Sequence, residues 1–199
     1  MGVVLARGYI AKKDAASAEA MIKEVTVRLE KGELKGDKTT VLFNLIFYHA
    51  DCGNVEAGWK LMEQFPDYWI RPVLQQRLLE VESRTGNTDG VKAALAGAKK
   101  KWEQAVLHVL LERACRVKGD LKMAEAEGAE ARKLATAVME DPAEKSWLTA
   151  VWSALGRVEP PEVLAAWVAE VKDPATRVRM YLVVGSAVDD HGWRRFTGK

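Results

Sequence analysis

Leu45-Ile46-Phe47-Tyr48-His49-Ala50-Asp51-Cys52-Gly53-Asn54-Val55-Glu56-Ala57-Gly58 is the stretch on which the reading of this chain turns. An apolar run stops at a glycine, a polar residue able to cap follows, and a second apolar-periodic run begins. The same order returns from Leu78 through Gly86-Asn87 to Val91, and from Leu111 through Gly119-Asp120 to Ala124, so the three glycines stand 33 and 33 residues apart. Further out, Lys13-Asp14 lies 40 residues before the first of them and Gly156-Arg157 lies 37 residues after the last. Eight residues before each of these five turns stands a leucine: Leu5, Leu45, Leu78, Leu111 and Leu148. Twelve after stand Val25, Phe65, Ala98, Ala131 and Val168, all apolar. Five after stand Ala18, Gly58, Val91 and Ala124, with Pro161 breaking the series. A period of this length with a turn at its middle specifies a helix-turn-helix unit, which buries its apolar face only by stacking on copies of itself.

The segments between the turns carry helical spacing. Val106, Leu107, Leu110, Leu111 and Ala114 fall on one face, and no Asn-Gly or Asp-Gly hairpin signal joins alternating runs. Asp141-Pro142 and Asp173-Pro174 each set a capping carboxylate before a proline suited to the first helical position, and Pro66-Asp67 marks the same boundary earlier. Pro160-Pro161 opens the second helix of the fifth unit, and Lys31–Thr40 reads as a lengthened loop. The expected fold is all-α: a right-handed α-solenoid of about five antiparallel helix-turn-helix repeats plus a C-terminal helix around Leu182. It forms one helical-repeat domain over residues 1–199. Neither end carries a polar capping helix, which fits a piece of a longer array or a last helix that closes the groove. The tryptophans follow the period, Trp69 and Trp102 lying 33 apart, with Trp147 and Trp152 on the first helix of unit five. That favours packing between units over a base-stacking platform.

Gly-Asn or Gly-Asp, with a leucine eight before and a small residue five after, resembles the tetratricopeptide repeat. Glu30-Lys31-Gly32 through Phe43-Asn44-Leu45-Ile46, then Asp51-Cys52-Gly53-Asn54 to Pro66, is similar to a pentatricopeptide unit. The chain departs from the first pattern where His49 and Glu82 replace the usual tyrosine and Pro161 replaces alanine. The tetratricopeptide resemblance implies a concave groove lined by first helices. Carried onto this sequence, its strip runs through Arg7, Phe47, Glu80, Arg84, Arg113 and Arg116. Its arginines would pair with carboxylates of an extended or helical peptide.

Composition narrows the partner. The 199 residues are 48% apolar and 29% charged, with a formal charge of +2 and no basic block. This excludes wholesale disorder and gives no field for nucleic acid or membrane. Cys52 and Cys115 lie 63 apart and match no metal or redox spacing, which points to a reduced, cytoplasmic protein. No signal peptide or myristoylation motif opens the chain, and no apolar run reaches spanning length.

Candidate chemistry is sparse. His49, Asp51 and Cys52 cluster at one helix end, without an oxyanion donor. Asp189-Asp190-His191 are adjacent and do not converge as spaced metal ligands would, and His108 sits on an apolar face as a packing residue. Phosphate loops, dinucleotide fingerprints and hydrolase elbows are missing from the sequence. Lys99-Lys100-Lys101 reads as a solvated link. Asn44 loosely matches a base-reading position, but its equivalents Arg77, Leu110 and Trp147 include two apolar groups. The expectation is a non-enzymatic scaffold that binds a protein or peptide, with no cofactor and no metal. The alternatives are a single-stranded RNA-binding protein of pentatricopeptide type and a regulatory repeat domain of a larger enzyme.

Overall fold

The computed structural model describes residues 15–33, 38–64 and 71–191, and every regular element within them is helical. Ten α-helices follow in order: α1 (Ala15–Glu30), α2 (Lys38–Asp51), α3 (Val55–Glu63), α4 (Arg71–Ser83), α5 (Asp89–Gly97), α6 (Lys101–Lys118), α7 (Leu121–Glu140), α8 (Leu148–Val158), α9 (Pro161–Ala169) and α10 (Pro174–His191). A short 3-10 turn, Lys145–Trp147, leads into α8. The chain divides into two compact units, residues 1–81 and 82–199.

Gly53, Gly86 and Gly119 end α2, α4 and α6 in the left-handed region, with φ of 73°, 80° and 81°. Their turns share one hydrogen-bond pattern. Each glycine amide donates to the carbonyl three residues back, and the next residue donates to the carbonyl five back. Those second bonds are Asn54 to His49 (2.8 Å), Asn87 to Glu82 (3.2 Å) and Asp120 to Cys115 (3.0 Å). This pairing satisfies carbonyls that the helix end would otherwise strand. Asn54 and Asp120 then cap the following helices, accepting from Ala57 N (3.3 Å) and Met123 N (3.0 Å).

The fifth turn differs from the sequence expectation. Gly156 lies inside α8 and is buried, and the helix runs on to Val158. The break comes at Glu159-Pro160, because Pro161 lacks an amide and fits the first helical position. Asp173 caps α10 as expected, its Oδ2 accepting from Thr176 N at 2.7 Å. Asp141 instead organises a turn, accepting from Ala143 N, and α8 starts seven residues later.

In the first unit α1 packs on α2 and α2 on α3. Leu42, Leu45, Ile46, Leu61, Met62, Leu74 and Leu78 form its core. In the second unit α6 packs on α5, α7 and α8, and α8 packs on α10, so the first helices of successive pairs touch one another. Trp102, Val109, Ala131, Val151, Leu155, Leu164 and Met180 fill that core. Trp102 and Trp147 stack at 4.3 Å with planes 8° apart. The repeat leucines Leu45, Leu78, Leu111 and Leu148 are all buried.

Candidate functional site

The residues assigned to a binding strip occupy different environments. Arg7 lies outside the described residues. In the first unit Phe47 stacks on Phe43 (4.1 Å between centroids), and the Arg77 guanidinium carbon lies 5.4 Å over its ring. Glu80 is buried, and its Oε2 accepts from Arg77 Nη1 at 2.8 Å. Arg77 Nη2 also donates to Asp51 Oδ1 at 2.6 Å. Burial works to lower the Arg77 guanidinium, but the Glu80 and Asp51 carboxylates outweigh it and hold the group above its usual range.

In the second unit Arg84 is exposed. Arg113, however, is only 3% exposed, and its Nη2 donates to the Arg157 carbonyl at 3.0 Å. Arg116 is half-buried and holds Glu112 Oε1 with Nε at 2.8 Å and Nη2 at 2.6 Å. Glu112 is fully enclosed, and Arg132 pairs with the equally buried Glu159. Both carboxylates fit because α7 carries Gly128 beneath them. A Cβ there would sit 2.9 Å from Glu112 Oε2 and 2.9 Å from Glu159 Oε1. Burial pushes the Glu112 carboxyl up, against the pull of Arg116, Arg132 and Arg113. Glu80, Arg113 and Arg116 therefore serve internal charge pairs and a carbonyl contact. Phe47 and Arg84 keep more of their surface outward.

A concave feature lies elsewhere in the first unit. An open cleft of about 640 Å³ runs between α1, α2 and α3. Ile22, Tyr48 and Leu61 form its apolar floor, and Lys23, Lys60 and Glu30 stand among its charged rim. His49 and Cys52 also line it. Burial lowers the His49 pKa and favours the neutral ring, and its buried Nδ1 meets no hydrogen-bond partner among the described residues. Burial raises the Tyr48 phenol, and the neighbouring Cys52 adds to the shift. The sequence cluster His49-Asp51-Cys52 is thus divided: His49 and Cys52 face the cleft, while Asp51 is held by Arg77.

The cleft was not anticipated from the strip offsets. Its α2 signal is Tyr48, His49 and Cys52 at helical spacing, one residue on from the Phe43-Phe47-Asp51 face. The other candidates are placed as follows. His108 is half-buried, with Nδ1 2.6 Å from Glu127 Oε2. Asn44 bonds back to the Thr40 carbonyl at 2.7 Å, and Lys101 pairs with Asp141 at 3.2 Å. The side chains of Asp189, Asp190 and His191 lie outside the described residues. Among the described residues no three His, Cys, Asp or Glu groups are arranged to hold a metal ion, and no helix is long and apolar enough to cross a membrane. No protein-family model, curated protein or solved structure matches the chain.

Proposed function

We propose that the chain is a non-enzymatic α-solenoid scaffold that binds a peptide or protein partner. The stacking of α6, α8 and α10 as first helices, and the three turns of one geometry 33 residues apart, support the repeat reading. The observation that carries the binding reading is the cleft of the first unit. Its volume falls in the range of ligand and side-chain pockets, roughly 300–1,000 Å³. An apolar floor beneath a rim of both charges suits an amphipathic segment, with apolar anchors inserted and charged residues paired at the edge. Two free thiols, Cys52 exposed and Cys115 buried, support a reducing, cytoplasmic setting.

A displayed library of random peptides, panned on the full chain, tests this. Enriched peptides should bind at least about tenfold more weakly to Ala57→Trp, whose indole would fill the cleft, while circular dichroism shows the helices intact. Failure to enrich any peptide, or binding indifferent to that substitution, would sink the proposal. Retention of mixed-sequence RNA that falls steeply with salt would favour the RNA-binding alternative instead.

A further inference from the structure

The cleft of the first unit selects both the conformation and the charge order of what fills it. Its α1 wall runs from Glu19 to Glu30, about 16 Å or three helical turns. Most polar groups around it are already engaged. Thr26 Oγ1 donates to the Ile22 carbonyl at 2.9 Å, Gln64 Nε2 to Glu30 Oε1 at 3.0 Å, and Lys60 Nζ to Glu56 Oε1 at 2.7 Å. Asn54 Oδ1 is taken by Ala57 N. The walls are helices, so they offer no open backbone ladder. An extended peptide laid over Ile22, Tyr48 and Leu61 would press unbonded amides and carbonyls against an apolar floor. A helix arrives with its backbone already paired and presents only side chains.

Charge then sets the direction. Glu19 and Lys23 line the cleft one turn apart on α1, both exposed, and neither makes an ion pair or hydrogen bond among the described residues. One turn further on, Val27 also lines the cleft and is 38% exposed. Along α1 the cleft thus offers an anion, a cation and an apolar side chain at successive turns. A helix antiparallel to α1 answers with an apolar residue, an acid one turn later and a base one turn after that. This alignment opposes the two helix dipoles. It also sets the partner's acid N-terminal to its base, the order that stabilises a helix through its own charge pair, whereas a parallel helix needs the weaker order.

Resting on the reading of the cleft as a peptide site, we propose that its occupant is an amphipathic α-helix of a partner protein. It lies antiparallel to α1, its acidic residue meeting Lys23 and its basic residue, one turn later, meeting Glu19.

The probe is a displayed library built on an alanine-based helix of about sixteen residues, long enough to hold a helix alone, randomised along one face and panned on the full chain. Enriched clones should carry the order apolar, acid, base at successive turns, and a central proline should abolish their binding. On a chain carrying both Glu19→Lys and Lys23→Glu, at exposed positions that leave helicity and melting temperature unchanged, these clones should bind at least about tenfold more weakly. Exchanging the acid and the base of the peptide should restore binding to that chain. Clones without the charge order, binding indifferent to the charge exchange, tolerance of the proline, or enrichment from random peptides but not from the helical library each overturn the proposal. If binding in those cases is still lost with Ala57→Trp, the cleft remains a peptide site and only the helical, charge-ordered occupant is refuted. Binding indifferent to Ala57→Trp, or no enrichment from either library, overturns both.

Discussion

Gly58 on α3 and Leu78 on α4 share one volume, and exchanging atoms between them should show it. A Cβ on Gly58 would lie 2.5 Å from Leu78 Cδ2 and 3.3 Å from Cδ1, and Leu78 is fully buried. Gly58→Ala therefore gains about 1 kcal/mol of helix propensity but forces Leu78 aside, at about 1–3 kcal/mol for overpacking. The net loss should be about 0–2 kcal/mol. Leu78→Ala removes three buried carbons and leaves a cavity, at about 2–5 kcal/mol. In the double variant the new methyl enters the space Leu78 vacated. The clash vanishes, the propensity gain remains, and part of the cavity fills, so the double variant should be about 1–1.5 kcal/mol more stable than Leu78→Ala alone. Urea unfolding of the four proteins by far-ultraviolet circular dichroism gives the coupling, expected at about 1–3 kcal/mol. If Gly58→Ala costs as much without Leu78 as with it, the two residues do not share that space.

Two further outcomes follow from the geometry. Gly119→Ala should lose about 1–2 kcal/mol, because φ is 81° there and nothing crowds the position, whereas Gly97→Ala, equally uncrowded but in ordinary helical backbone, should gain about 0.4–1 kcal/mol. Equal effects in thermal melts would show that backbone angle is not the determinant. Burial raises the Glu112 carboxyl above its ordinary 4.5 on folding, so its contribution is full below that value and is lost as pH climbs through the raised one. Relative to wild type, Glu112→Gln should therefore become progressively more stable from about pH 4.5 toward neutrality. Parallel stability curves for the two proteins would contradict this.

Much of the helical order is legible in the residues. A glycine followed by Asn or Asp is a chemically specific stop, since only glycine takes the left-handed angle without penalty and the next residue can cap. Gly53 and Gly119 obey this in full. Gly156 does not, because a glycine before Arg157 carries neither a cap nor a following break, and Pro160-Pro161, which begins four residues after it, is the stronger signal. Functional surface was harder to read. Arg113 stands at an offset that points outward in an isolated helix pair, yet the carbonyl it reaches belongs to Arg157, 44 residues away. Burial of that kind is set by neighbours stacked from distant sequence, and spacing along one helix does not encode it. The cleft escaped for the same reason, since it requires α1 as its far wall.

The start of α6 is fastened from a distance. Lys100 makes no side-chain cap, and the carboxylate that accepts from Lys101 N (3.3 Å) and Trp102 N (2.8 Å) belongs to Glu144, more than forty residues downstream. An N-cap is ordinarily a local device, available as soon as its own helix begins to form. Here the first turn of α6 is completed only when the chain through α7 has closed back on it, and that closure costs entropy before the cap repays it. The cap thus acts as a timing element in folding. Pulse-labelled hydrogen exchange during refolding should therefore find the Lys101 and Trp102 amides protected only when the α7–α8 connection arrives, later than the amides in the middle of α6.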